Sequence, residues 1–127
     1  MKSGLLEHVN VTVANPQQSG DLMCRLFDWH IRWSGPSAYG GHTVHVGTDS
    51  AYIAFYSPAK LQPARPRAID AVAHLNHIAV LVDDLDAVEA RVSEAGYEPA
   101  SHGDYEPGRR FYFNDENGIE FEVVSYS

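Results

Sequence analysis

The 127-residue chain has one cysteine, Cys24, so no internal disulfide can form, which fits a reducing compartment. It has two lysines, Lys2 and Lys60, and no polybasic tract, and its net charge is −8. That balance argues against nucleic acid and anionic membranes, both of which attract basic patches. No apolar run approaches the roughly 20 residues needed to span a bilayer. The opening residues, Met1-Lys2-Ser3-Gly4-Leu5-Leu6-Glu7, lack the long apolar stretch of a secretory signal, and a cytoplasmic location is expected. Cys24, between Met23 and Leu26 of an amphipathic segment, is expected to be a buried, inert thiol rather than a nucleophile.

What the chain does have is a duplication. Leu6-Glu7-His8-Val9-Asn10-Val11-Thr12-Val13 and Leu75-Asn76-His77-Ile78-Ala79-Val80-Leu81-Val82 are near copies, each with a histidine at the same step. The offset is 69 residues from His8 to His77, and 68 from Trp29 to Tyr97 and from Ser57 to Ser125, so a single one-residue gap aligns the halves. One buried histidine is more often a hydrogen-bonded core residue than a ligand. Two at equivalent points of a repeated unit can converge across a pseudo-two-fold axis, which is one way for a small protein to assemble a metal site.

Each half reads as strand, helix, then three short strands. Leu5 to Ala14 alternates Val9, Val11 and Val13 against His8, Asn10 and Thr12, the period of a strand with two unlike faces. Asn15-Pro16 predicts an N-cap followed by proline at the first helical position, with the helix running to about Phe27 and burying Leu22 and Leu26. Strands are expected over Ile31 to Ser34, His42 to Val46 and Ala51 to Tyr56. Residues Ser57 to about Val72 hold Pro58, Pro63 and Pro66 without periodicity and read as a linker. The second half predicts a strand over Leu75 to Val82, then a helix capped by Asp83 or Asp84, with Leu85, Val88 and Val92 on one face. Gly96 supplies its stop. Strands follow near Glu98 to Ala100, Arg109 to Asn114 and Ile119 to Val124. The chain is thus expected to be one domain over 1–127, with module 1 about 1–57, a linker about 58–72 and module 2 about 73–127.

Alternation also assigns faces. The valine-rich side of each first strand is expected under its helix, with His8 and His77 on the opposite side. On the last strand Ile119, Phe121 and Val123 form the apolar face, leaving Glu120, Glu122 and Val124 opposite. Tyr52, Ala54 and Tyr56 take that side in the first half. The expected fold is α+β: two βαβββ modules in tandem, forming a curved eight-stranded mixed sheet around a cleft, with the helices outside. His8, His77, Tyr52, Tyr56 and Glu122 are expected to line that cleft, with the loops Gly35 to Gly41 and His102 to Gly108 setting its specificity.

These features resemble the vicinal oxygen chelate superfamily, which includes glyoxalase I, fosfomycin-resistance proteins, bleomycin-resistance proteins and extradiol dioxygenases. The carriers are the two strand histidines and Phe111-Tyr112-Phe113-Asn114-Asp115-Glu116-Asn117-Gly118-Ile119-Glu120-Phe121-Glu122. That segment is similar to the family ending F-Y-F-x-D-P-x-G-x-x-x-E, with Glu116 where proline is usual. The resemblance implies His8, His77 and Glu122 as ligands of a divalent metal ion, Fe, Mn, Ni or Zn, with coordination positions left open for a substrate. Where glyoxalase I-like members have a fourth ligand, this chain has Ala54, so a three-ligand site is expected.

The resemblance implies two readings from different classes. One is a metal-dependent lyase, isomerase or dioxygenase acting on a small oxygen-rich substrate. Glu120, Tyr52, Tyr56 and Tyr112 are its candidate catalytic groups, and His42, His45, His102 and Tyr105 are further helper candidates. The other is a metal-free small-molecule binding protein of the bleomycin-resistance type. A homodimer is expected in either case, with modules paired within or between chains. Arg109 and Arg110 are available to an anionic group, although the cluster of lysines and arginines expected for a phosphonate is missing.

Overall fold

The computed structural model describes residues 2–105 and 108–127. Residues 106 and 107, inside the expected loop His102 to Gly108, lie outside the described residues. The element order is β1 (His8–Thr12), α1 (Pro16–Phe27), β2 (His30–Ser37), a short 3-10 turn (Ala38–Gly40), β3 (Gly41–Gly47), β4 (Tyr52–Ser57), β5 (Ile78–Leu81), α2 (Leu85–Glu94), β6 (Ala100–Tyr105), β7 (Gly108–Asn114) and β8 (Glu120–Ser125). This is the tandem βαβββ plan. The eight strands form two four-stranded mixed sheets, ordered β1-β4-β3-β2 and β5-β8-β7-β6. In each, the first strand runs parallel to the last and the others pair antiparallel. The chain divides into two compact units, Met1–Gln62 and Pro63–Ser127. Among the described residues no helix is long and apolar enough to cross a membrane.

In the first unit, Asn15 caps α1 by accepting from the Gln18 amide at 3.1 Å, and Pro16 follows where its missing N–H costs nothing. The helix stops at Asp28, which turns left-handed at φ 57° while its amide donates to the Cys24 carbonyl. Leu22, Met23, Leu26 and Phe27 of α1 are buried, as are Val44 and Val46 of β3 and Ile53 and Phe55 of β4, and α1 packs against those two strands. Full burial of such side chains contributes about 1.5–3 kcal/mol each. Cys24 is half-buried, and burial raises its thiol above the usual range, in keeping with an unreactive group.

In the second unit, Asp84 caps α2 through the Ala87 amide at 3.0 Å. Gly96, at φ 95°, carries the chain out of the helix. Leu85, Val88 and Val92 are buried with Phe111, Phe113, Phe121 and Val123.

Several boundaries differ from the sequence expectations: β1 is His8–Thr12 rather than Leu5 to Ala14, and β2 runs past Ser34 to Ser37, into the expected loop Gly35 to Gly41. β5 begins at Ile78, not Leu75, so His77 stands just outside the hydrogen-bonded ladder. β6 runs on from Ala100 to Tyr105 through a register shift between Ala100 and Gly103, where Ser101 takes a left-handed φ of 54°. It is a polar edge strand, so alternation gave no signal for it. The later part of the expected linker belongs to the second unit. Arg67 donates to the Asn76 carbonyl, the Asn114 amide oxygen and Glu120, each at 3.1 Å.

Candidate metal centre

Register fixes which side chains share a face. In the first unit His8 lies opposite Tyr52, Asn10 opposite Ala54 and Thr12 opposite Tyr56, while His45 of β3 is opposite Ala54 on its other side. Rings cross this sheet in a row. Trp33 and His45 are 5.1 Å apart between centroids, His45 and Tyr52 stack at 4.5 Å, and Tyr52 and His8 stack at 4.9 Å. The Arg32 guanidinium lies 4.5 Å from the Tyr52 centroid. Burial holds His45 below the usual imidazole range, and the His8 and Arg32 charges push the same way. Ala54 is buried and offers no donor.

His8 Nδ1 is hydrogen-bonded to Glu7 Oε1. Because a carboxylate oxygen accepts, the proton sits on Nδ1, and that bond with His8 also holds Glu7 below the usual carboxylate range. In the neutral ring Nε2 then carries the lone pair.

The second unit repeats this at His77, whose Nδ1 lies 2.7 Å from Asn76 Oδ1. Asn76 and Glu7 are the residues immediately before the two histidines, hence equivalent in the repeat. His77 Nε2 lies 3.0 Å from Glu122 Oε1. Two atoms that both carry lone pairs at this distance need a proton or a cation between them. Glu122 is buried and holds two more donors: the Tyr112 hydroxyl at 3.1 Å from Oε1 and Arg110 Nη1 at 3.0 Å from Oε2. Tyr112 lies directly opposite Glu122 across the β7–β8 ladder. Burial raises its phenol above the usual range, and the bond to Glu122 raises it further.

The sequence-derived candidates are distributed as follows. His77, Glu122 and Tyr112 come together in the second unit, and His8 and Tyr52 in the first. Tyr56 donates to the Ala38 carbonyl at 2.8 Å, tying down the turn before β3. Glu120 is engaged by Arg67. His102 bonds Glu89 of α2 at 2.9 Å and so points toward the helix. The same alternation parts the two arginines: Arg109 reaches Asp86 of α2, and Arg110 reaches Glu122. Tyr105 lies over the Arg110 guanidinium at 4.6 Å.

Sequence reasoning missed Glu7 and Asn76, although the repeat alignment carries the signal, an oxygen-bearing residue before each histidine. It had no signal for Arg67. Within each unit, among the described residues, no three His, Cys, Asp or Glu side chains gather closely enough to hold a metal ion by themselves. By chemistry alone, the imidazole and carboxylate that meet in the second unit, His77 and Glu122, and the imidazole of His8 in the first, with Nδ1 engaged, are donor types that suit a divalent cation.

The chain is similar in structure to several solved proteins. A glyoxylase/bleomycin resistance protein/dioxygenase domain from Frankia sp. EAN1pec superposes with a TM-score of 0.79 at 18% identity, over 98% of each chain. The fosfomycin resistance protein FosX from Listeria monocytogenes, complexed with Mn(II) and sulfate, gives 0.72 at 20% identity, over 100% of this chain and 95% of that one. A glyoxalase I mutant from Zea mays gives 0.76 at 12% identity, over 94% of this chain and 44% of that one. At these identities the likeness is one of fold. No curated protein matches the sequence significantly. A family model does match, over residues 5–123, and the chain belongs to the Glyoxalase/Bleomycin resistance protein/Dioxygenase superfamily.

Proposed function

We propose that this protein is a divalent-metal enzyme in which His8, His77 and Glu122 hold one ion and a small oxygen-rich substrate is turned over by lyase, isomerase or dioxygenase chemistry. One observation carries the reading. Each histidine has its Nδ1 held by an oxygen of the preceding residue, Glu7 or Asn76, at repeat-equivalent positions, which leaves Nε2 of His8 for other contacts and turns Nε2 of His77 to Glu122 Oε1. A core histidine needs no such matched arrangement; a ligand pair does. The Mn(II) complex of the Listeria FosX is support by analogy of fold.

When bound, the ion would supply a Lewis acid for two neighbouring substrate oxygens. The chain's own groups then have defined tasks. Glu7 and Asn76 fix the imidazole orientations, and Arg110 holds Glu122 Oε2. Tyr112 keeps its proton, because its phenol is raised, and serves as a hydrogen-bond donor beside Oε1 rather than as a base. Glu120, paired with Arg67, is less available as a general base than its place on the Glu122 face suggests. A cytoplasmic homodimer is part of the same proposal.

The test is metal analysis of freshly purified protein together with His8→Ala and Glu122→Gln. The expected outcome is stoichiometric Fe, Mn, Ni or Zn in the wild type, lost in both variants. A second reading, a metal-free binder of planar compounds, is favoured by the row Trp33–His45–Tyr52–His8, at whose edge Trp33 is 47% exposed. No uptake of any of these metals at micromolar concentration would decide for that reading.

A further inference from the structure

We infer that Arg110 is a positioning residue that confines Glu122 to ligation through one oxygen and sets how tightly the centre takes a divalent cation. The inference rests on the reading of His8, His77 and Glu122 as ligands. Arg110 stands opposite Val124 in the β7–β8 ladder and reaches diagonally to Glu122, placing Nη1 3.0 Å from Oε2. The two side chains are 12% and 9% exposed, so water screens the pair little.

Beyond the Tyr105 ring, whose centroid lies 4.6 Å from it, the rest of the guanidinium has few hydrogen bonds. Nη2 has a long 3.4 Å contact to the Gly108 carbonyl, and Nε is buried without a hydrogen-bond partner among the described residues. A group with an orphaned buried donor is costly to keep. Glu122 is its one ionic partner among the described residues. The fold itself does not call for arginine here. In the first unit the equivalent place, opposite Tyr56, is Thr43, which bonds Ser37.

Two consequences follow for the centre. With Oε2 engaged, Oε1 is the oxygen left beside His77 Nε2 and Tyr112. A fixed positive charge on the same carboxylate also opposes the arrival of a second one. Arg110 therefore weakens cation binding relative to the same three ligands alone. It leaves a bound ion less neutralised, which strengthens its pull on anionic oxygens of a substrate.

The experiment is a Mn(II) titration of chelator-treated wild type, Arg110→Met, Arg110→Gln and Arg110→Lys, followed by loss of the free-ion paramagnetic resonance signal. Circular dichroism checks folding. The two uncharged variants are expected to bind Mn(II) at least about tenfold more tightly than wild type, because a nearby like charge has been removed. Arg110→Lys keeps the charge and is expected to stay within about threefold of wild type. Adding Glu122→Gln to Arg110→Met should abolish the gain. Equal or weaker binding by the folded uncharged variants, with uptake by the wild type, overturns the role of Arg110 alone. Uptake by none of the proteins overturns the metal reading and this inference together.

Discussion

Glu122 and Arg110 form a buried ion pair, and the two ways of breaking it are not equivalent. Removing the carboxylate leaves a guanidinium that is 12% exposed, with Nε already lacking a partner among the described residues. Breaking such a pair typically costs about 3–5 kcal/mol. Glu122→Ala is therefore expected to lose about that much stability in urea denaturation. Glu122→Gln, whose amide oxygen can still accept from Arg110, should lose less. The double substitution Arg110→Met with Glu122→Leu should recover part of the loss, since apolar groups of similar volume replace the ion pair while the Tyr112 hydroxyl and His77 Nε2 still lose their shared partner. Glu122→Ala within about 1 kcal/mol of wild type would contradict this account. At this scale the sequence was partly legible. The repeat singled out His8 and His77, and the resemblance to the family ending F-Y-F-x-D-P-x-G-x-x-x-E pointed to Glu122. Arg109 and Arg110 looked alike until the β7 register sent one to Asp86 and the other to Glu122.

The elements themselves were read mostly from alternation and caps. Asn15-Pro16 placed α1, and the Leu85, Val88 and Val92 stripe with Asp84 placed α2. Alternation fails where a strand has no apolar face. β6, with the sequence Ala-Ser-His-Gly-Asp-Tyr, was therefore foreseen only at its first residue. One position in α1 sets helix propensity against packing. Alanine in place of Gly20 should favour a helix interior by about 1 kcal/mol. A Cβ there would stand 2.8 Å from Val44 Cγ1 and 3.1 Å from Ile31 Cδ1, and Val44 is fully buried. Overpacking of this kind costs about 1–3 kcal/mol and should win. Gly20→Ala is expected to lower the thermal midpoint of unfolding; a raised midpoint would mean that α1 can move off the sheet at little cost.

For the molecule as a whole, the candidate ligands are divided: His8 belongs to the unit Met1–Gln62, and His77 and Glu122 to the unit Pro63–Ser127. On the proposed reading one cation links the two units, within a chain or between two chains. The repeat revealed the tandem plan because both halves keep the same alternation. It concealed where the linker ends, because the partners of Arg67 (Asn76, Asn114 and Glu120) are assembled only by folding. That anchor sits beside the residue that orients His77, so part of the proline-bearing segment belongs to the second unit's architecture rather than to a free tether. The most direct measurement is an anomalous-scattering map from crystals grown with Mn(II). The account predicts one peak per site, bound by Nε2 of His8, Nε2 of His77 and Oε1 of Glu122. A peak bound through Nδ1, or one that lacks either histidine, would contradict it.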